Sequence, residues 1–233
     1  MRCREETLSV LPRLGQKAPA CAQALDELLR VLEAVACCYW GCPGKDEPHQ
    51  IQRIVGRCSS NALAGVELIA SGHYDEALGL ARNVGEAANL FWLFTLSAGD
   101  LKEWKTLQDQ DRWNRFRPAK VRQKIEARNV PVPIDVQRYS ILSMESAHVG
   151  PHTSPQTFNR VVPTLGGFFQ EGGFLLALNE LAGATAIVGA SAVRLIPELE
   201  DVNREEVRQA ALNVLQAVGG VDVHSIAAIR GDA

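Results

Sequence analysis

Arg82 and Glu86 stand one helical turn apart, just before the apolar run Leu90-Phe91-Trp92-Leu93-Phe94. A guanidinium and a carboxylate at that spacing share a helix face and pair. A charged pair entering a core needs a partner and a reason to be there. Read structurally, it fixes helix register; read functionally, it opens a polar cluster in a cleft. Tyr139 and Ser143 share a face of a later segment, with His148 roughly on the side of Ser143 and His152 beyond the Gly150-Pro151 break. Histidine suits proton transfer near neutral pH. The proline, however, interrupts the register that two histidines four apart need to ligate a metal. A histidine at a helix end is more often a cap than a catalyst. Arg82, Glu86, Tyr139, Ser143 and His148 therefore form a candidate polar cluster with no catalytic residue assigned.

A second constellation is basic. Arg112, Arg115, Arg117, Lys120, Arg122, Lys124 and Arg128 face a single Glu126 across that stretch, with Trp113 and Phe116 interleaved. Such a segment holds phosphates by charge and stacks bases on its aromatic faces, or it is a solvated face anchored by those aromatics. Lys120 and Arg122 are the candidate phosphate-binding residues. The whole chain carries a net charge of −3, so polyanion binding would rest on this patch alone.

The six cysteines, Cys3, Cys21, Cys37, Cys38, Cys42 and Cys58, all lie in the first quarter of the chain. A disulfide framework would spread them through the fold. Cys37, Cys38, Cys42, Cys58 and His49 match no paired Cys-x-x-Cys knuckle, and Cys37 and Cys38 point to different sides of a helix. Small buried thiols are the expectation, with no metal and no cofactor. Charges at Arg2, Arg4, Glu5, Glu6 and Arg13 break any apolar run at the start, so no secretory leader is expected there and a cytoplasmic location is. No Walker loop, dinucleotide fingerprint, Gly-x-Ser-x-Gly elbow or His-Glu-x-x-His occurs.

The elements that must position these residues are helical. Apolar spacing, caps and breaking residues together predict helices over 18–40, 50–70 (closed by Ser71-Gly72), 74–97, 100–108 (capped by Asp100), 118–128 (opened by Pro118), 135–148, 174–196 and 199–218. No alternating run is bounded by hairpin turns. The glycines from Gly166 to Gly173 read as a flexible joint. Ser71–Arg82 has a tetratricopeptide flavour, but no second copy follows. The reading is all-α: a single-domain bundle of roughly seven to nine helices over 18–228, with an extension at 1–17 and a tail at 229–233.

Phe174 to Ile196 is long enough to span a bilayer, but Asn179 and Glu180 lie inside it, and a carboxylate there costs a few kcal/mol on insertion scales. Its small residues, Ala182, Gly183, Ala186, Gly189 and Ala190, suit close packing. A core helix or a dimer helix is expected, and no membrane.

Three features together resemble a group of bacterial all-helical proteins of unknown function. They are the Arg82-Asn-Val-Gly-Glu86 turn leading into an aromatic helix, the Phe116-Arg-Pro-Ala-Lys-Val-Arg122 stretch, and Tyr139-Ser-Ile-Leu-Ser143 followed by His148. The resemblance covers roughly 71–152 and implies a helical bundle. Such bundles are in turn distantly similar to the HEPN superfamily, whose ribonuclease members carry Arg-x(4–6)-His on a helix. Arg82 has no histidine at that spacing, and Arg138 and His148 are too far apart for it, so no catalytic residue is carried over. Two functions follow as expectations. The first is a non-catalytic interaction or ligand-binding module that self-associates and takes a protein or small-molecule partner. The alternative is a HEPN-like RNA-binding protein or ribonuclease of stress or phage defence, with Arg82, Glu86 and His148 lining the site and Lys120 and Arg122 on phosphate.

Overall fold

The computed structural model describes residues 2–36, 47–146, 167–197 and 199–218. Among them are ten α-helices, one short 3₁₀ turn (Leu11–Arg13) and no strand. The helices are α1 Arg2–Val10, α2 Lys17–Leu32, α3 Glu47–Ala70, α4 Tyr74–Leu96, α5 Ala98–Thr106, α6 Asp109–Phe116, α7 Pro118–Glu126, α8 Val136–Ser146, α9 Glu171–Leu195 and α10 Asp201–Ala217. The chain is thus an all-α bundle. The two helices that the periodicity does not announce, α1 and α6, are both short.

Small side chains decide the centre. α9 is packed by α2, α3, α4 and α10, most extensively by α4. A Cβ at Gly189 would sit 3.4 Å from Leu28, Leu32 and Val207, so α2 and α10 come as close to this helix as side chains allow. α9 has the length and hydropathy of a membrane span, yet 78% of its most apolar window is buried inside the bundle. Its small-residue face, the motive for expecting a dimer helix, is filled from within the chain.

Several helix ends differ from the expected ones for local reasons. After Leu32 the bonding of α2 tightens into i→i+3 turns at Ala34 and Val35, ending the helix short of the predicted 18–40 run. Ser97, not Asp100, caps α5: its hydroxyl accepts the Asp100 N–H at 3.1 Å. Asp100 is instead buried at the third helical position. α6 arises because Asp109 and Asp111 favour its first turn, and Pro118 then forces Arg117 into extended backbone. Pro118 in turn opens α7, so α6 and α7 meet at a rigid corner. The segment read as a flexible glycine joint is tightly docked over 167–170. A Cβ on Gly167 would collide with the Ser71 carbonyl oxygen, and the Gln170 N–H donates to the Tyr74 hydroxyl at 3.2 Å.

Residues 127–135 fix where α8 sits. Asn129 takes a left-handed turn after α7 (φ 55°), which asparagine tolerates. Ile134 then packs on Gly85 of α4, where a Cβ would lie 3.0 Å from its Cγ1. Asn89, one turn along α4, grips the same residue: Nδ2 donates to the Ile134 carbonyl at 2.7 Å, and Oδ1 accepts the Ile134 N–H at 2.9 Å. Asp135 accepts the Arg138 N–H and opens α8. Arg138 then donates to Glu180 of α9 at 2.8 Å. Held this way, α8 lies along α4.

Candidate functional site, a polar cleft on four helices

α4 carries Arg82 and Glu86 one turn apart, and they pair at 3.1 Å. α8 brings Tyr139 over them. Its hydroxyl accepts from Arg82 Nη2 at 2.5 Å and donates to Glu86 Oε1 at 2.9 Å, closing a three-member relay. The Arg82 guanidinium also lies 4.9 Å from the Tyr139 ring centre. α7 contributes Arg122, whose guanidinium is 4.2 Å from the same ring centre. Two cations on one aromatic ring are each attracted to its electron-rich faces. The α6–α7 corner completes the walls with Trp113, Arg117, Pro118 and Ala119 around a cleft of about 300 Å³.

The electrostatics of this cleft are unbalanced. Among the described residues, three guanidiniums, from Arg82, Arg117 and Arg122, line it with one carboxylate, from Glu86. Arg122 is 8% exposed, and among the described residues its buried Nη1 has no hydrogen-bond partner. The Arg82 Nε is likewise buried without a partner among them. A buried donor left unmade costs roughly 1–3 kcal/mol, and more for a charged group.

Of the residues singled out by sequence, Arg82, Glu86 and Tyr139 converge, and Arg122 joins them from the basic segment. Ser143 lies one turn further along α8, buried, with its hydroxyl unpartnered among the described residues and outside the cleft wall. His148 and His152 lie outside the described residues. Lys120 is exposed, donates to Gln123 at 3.1 Å and is not part of the wall. Trp113 and Arg117 were legible only as members of the basic run. What placed them in the cleft is the corner at Pro118.

Most of the rest of that run is engaged in ion pairs. Lys124 and Arg128 reach Asp100 at 2.6 and 2.5 Å, Lys124 also reaches Glu103 at 3.4 Å, and Arg115 pairs with Glu103. Arg112 pairs with Asp109 at 2.6 Å and donates to the carbonyls of Trp104 and Leu107. Burial alone would raise the Asp100 carboxyl. Hydrogen bonds from Lys124 and the Ser97 hydroxyl, with the charges of Lys124 and Arg128, outweigh it and hold Asp100 below the ordinary aspartate range. Asp100 and Glu103 of α5 and Asp109 of α6 take up these outer cations, while the cleft holds Arg117 and Arg122 beyond the Arg82–Glu86 pair.

Of the cysteine and histidine set considered for zinc, Cys37, Cys38 and Cys42 lie outside the described residues. Cys58 is buried in the core, where desolvation pushes its thiol up to about 12, and Cys21 is pushed up to about 11 in the same way. Among the described residues no three His, Cys, Asp or Glu side chains converge as a metal-ligand group. Comparison with protein-family models, with curated proteins and with solved structures finds no match.

Proposed function

We propose that this protein is a non-catalytic binding module of the cytoplasm that takes a small-molecule ligand in the cleft between α4, α6, α7 and α8. The observation that carries the reading is Arg122: a buried guanidinium, one N–H of which has no partner among the described residues, in the wall of a cleft already organised by the Arg82–Tyr139–Glu86 relay. A cavity near 300 Å³ is at the small end of ligand pockets and suits one small molecule more than a folded partner. Tyr139 is engaged on both sides, and no nucleophile and base are paired among the cleft residues, which favours binding over turnover. The test is a thermal-shift screen of a metabolite panel on the full chain, repeated on Tyr139→Phe. Some compounds should raise the melting temperature of the wild type and lose that effect in the variant. A panel without any stabilising compound, or one acting equally on both proteins, would remove the reading.

A second reading keeps the cleft and changes the ligand to the end of a single-stranded RNA, in line with the HEPN-like resemblance. The exposed Trp113 indole, 61% accessible beside Arg117, favours it as a stacking platform. Labelled single-stranded RNA should then shift in a gel at low salt, less at moderate salt, and not with Trp113→Ala. Self-association is a separate proposal. With the small face of α9 used inside the chain, it would need another surface, and light scattering across a concentration series checks it.

A further inference from the structure

We infer that the ligand of this cleft is an organic dianion joined to a planar ring, of the class of aryl or heteroaryl phosphate monoesters. The inference rests on the proposed binding role and adds the chemistry of what is bound. Among the described residues, three cations against one carboxylate leave the wall two positive charges in excess. One of those cations, Arg122, is almost fully buried with an N–H lacking a partner among the described residues. Its guanidinium is fixed by the Tyr139 ring at 4.2 Å, so its donors are oriented before any ligand arrives. A planar guanidinium matches the paired oxygens of phosphate or carboxylate. A phosphate monoester carries about −1.5 to −2 charges at pH 7 and so matches the excess, where a carboxylate supplies only half of it.

The ring requirement comes from the apolar part of the same lining. Trp113 is large, apolar and exposed, on a helix otherwise made of charged and amide side chains up to Phe116. Pro118 and Ala119 add apolar surface next to it, and Arg117 offers a second planar face. Guanidinium donors and an exposed indole in one lining define a ligand with a phosphate head and a flat body.

The experiment is isothermal titration of the full-length protein with phenyl phosphate, inorganic phosphate, benzoate and phenol. Phenyl phosphate should bind most tightly, inorganic phosphate and benzoate each about tenfold more weakly, and phenol not measurably. Its affinity should rise between pH 5 and pH 7 as the second phosphate ionisation near 6 is completed, while that of benzoate stays flat. Arg122→Gln should lower phenyl phosphate affinity at least tenfold. Trp113→Leu should erase the preference for phenyl phosphate over inorganic phosphate. Circular dichroism checks the fold of each variant. Arg117→Gln, at the exposed corner, supplies a readout independent of the buried arginine, with an expected loss of a few-fold. Phenol binding as well as phenyl phosphate, affinity unchanged in both arginine variants, or no binding by any probe would each overturn the dianion assignment. If a neutral or cationic compound from the panel binds and is lost in Tyr139→Phe, the binding role stands and the ligand class falls. If neither experiment finds a ligand, both fall.

Discussion

At Asn89 a single carboxamide satisfies both backbone groups of Ile134, a residue 1% exposed, and thereby sets the start of α8. Asn89→Ala would leave a buried N–H and a buried carbonyl unmade, at a cost of about 2–4 kcal/mol. Gly85 works beside it. An alanine there gains about 1 kcal/mol of helix propensity but places its Cβ 3.0 Å from an Ile134 that its backbone clamp prevents from moving aside. Gly85→Ala should therefore be destabilising, by about 1–3 kcal/mol, and urea midpoints check both variants. The buried thiols make a further residue-scale prediction. With Cys21 and Cys58 raised to about 11 and 12, neither forms appreciable thiolate at pH 8. A disulfide reagent at that pH should label them only after denaturant is added, and labelling in the native protein would contradict their burial. The Arg82–Glu86 pair was readable from spacing alone because both residues sit on one helix. Asn89 was not, because its partner lies in an irregular segment that no periodicity marks.

Asp100 joins elements rather than residues. It fastens the start of α5 to Lys124 in the last turn of α7 and to Arg128 just beyond it, and so holds the α6–α7 corner that forms one wall of the cleft. Its carboxyl releases its proton more readily when folded than when unfolded. The stability this contributes is therefore complete above the unfolded value near pH 4 and is lost as pH falls through the lower folded value. Asp100→Asn should cost about 1–3 kcal/mol at pH 7 and flatten the acid limb between pH 5 and pH 3, as read from urea unfolding at each pH. An unchanged acid limb would mean that the ion pairs do not hold α5 to α7. The same helices show what sequence leaves hidden. Eight helices follow from apolar spacing together with cap and break residues, while α6 offers little of either, with only Phe116 buried. A serine three residues upstream outcompeted Asp100 for the cap, and the acidic side chain went to cations 24 and 28 residues away. Local pattern names a helix; which of its charges will be neutralised depends on neighbours brought in by the fold.

Across the whole molecule, support is unevenly shared. α9 is surrounded by α2, α3, α4 and α10. α5 and α7 rest on α4, and α6 packs chiefly on α7 at the edge of the bundle. Free energies of local opening follow such differences, running from near zero in thinly packed elements to the global value in the core. The backbone amides of α9 and of the second half of α4 should then exchange with solvent most slowly, and those of α6 among the fastest of the helical amides. Hydrogen exchange read by mass spectrometry resolves these segments. The consequence for the cleft is specific. Arg82 and Glu86 stand on α4, which packs extensively on α9, whereas Trp113 stands on α6, which packs chiefly on α7, so a ligand that bridges the two would slow exchange in α6 and α7 far more than in α4. Equal protection of all three helices on adding phenyl phosphate would mean that the compound stabilises the bundle from somewhere other than this cleft.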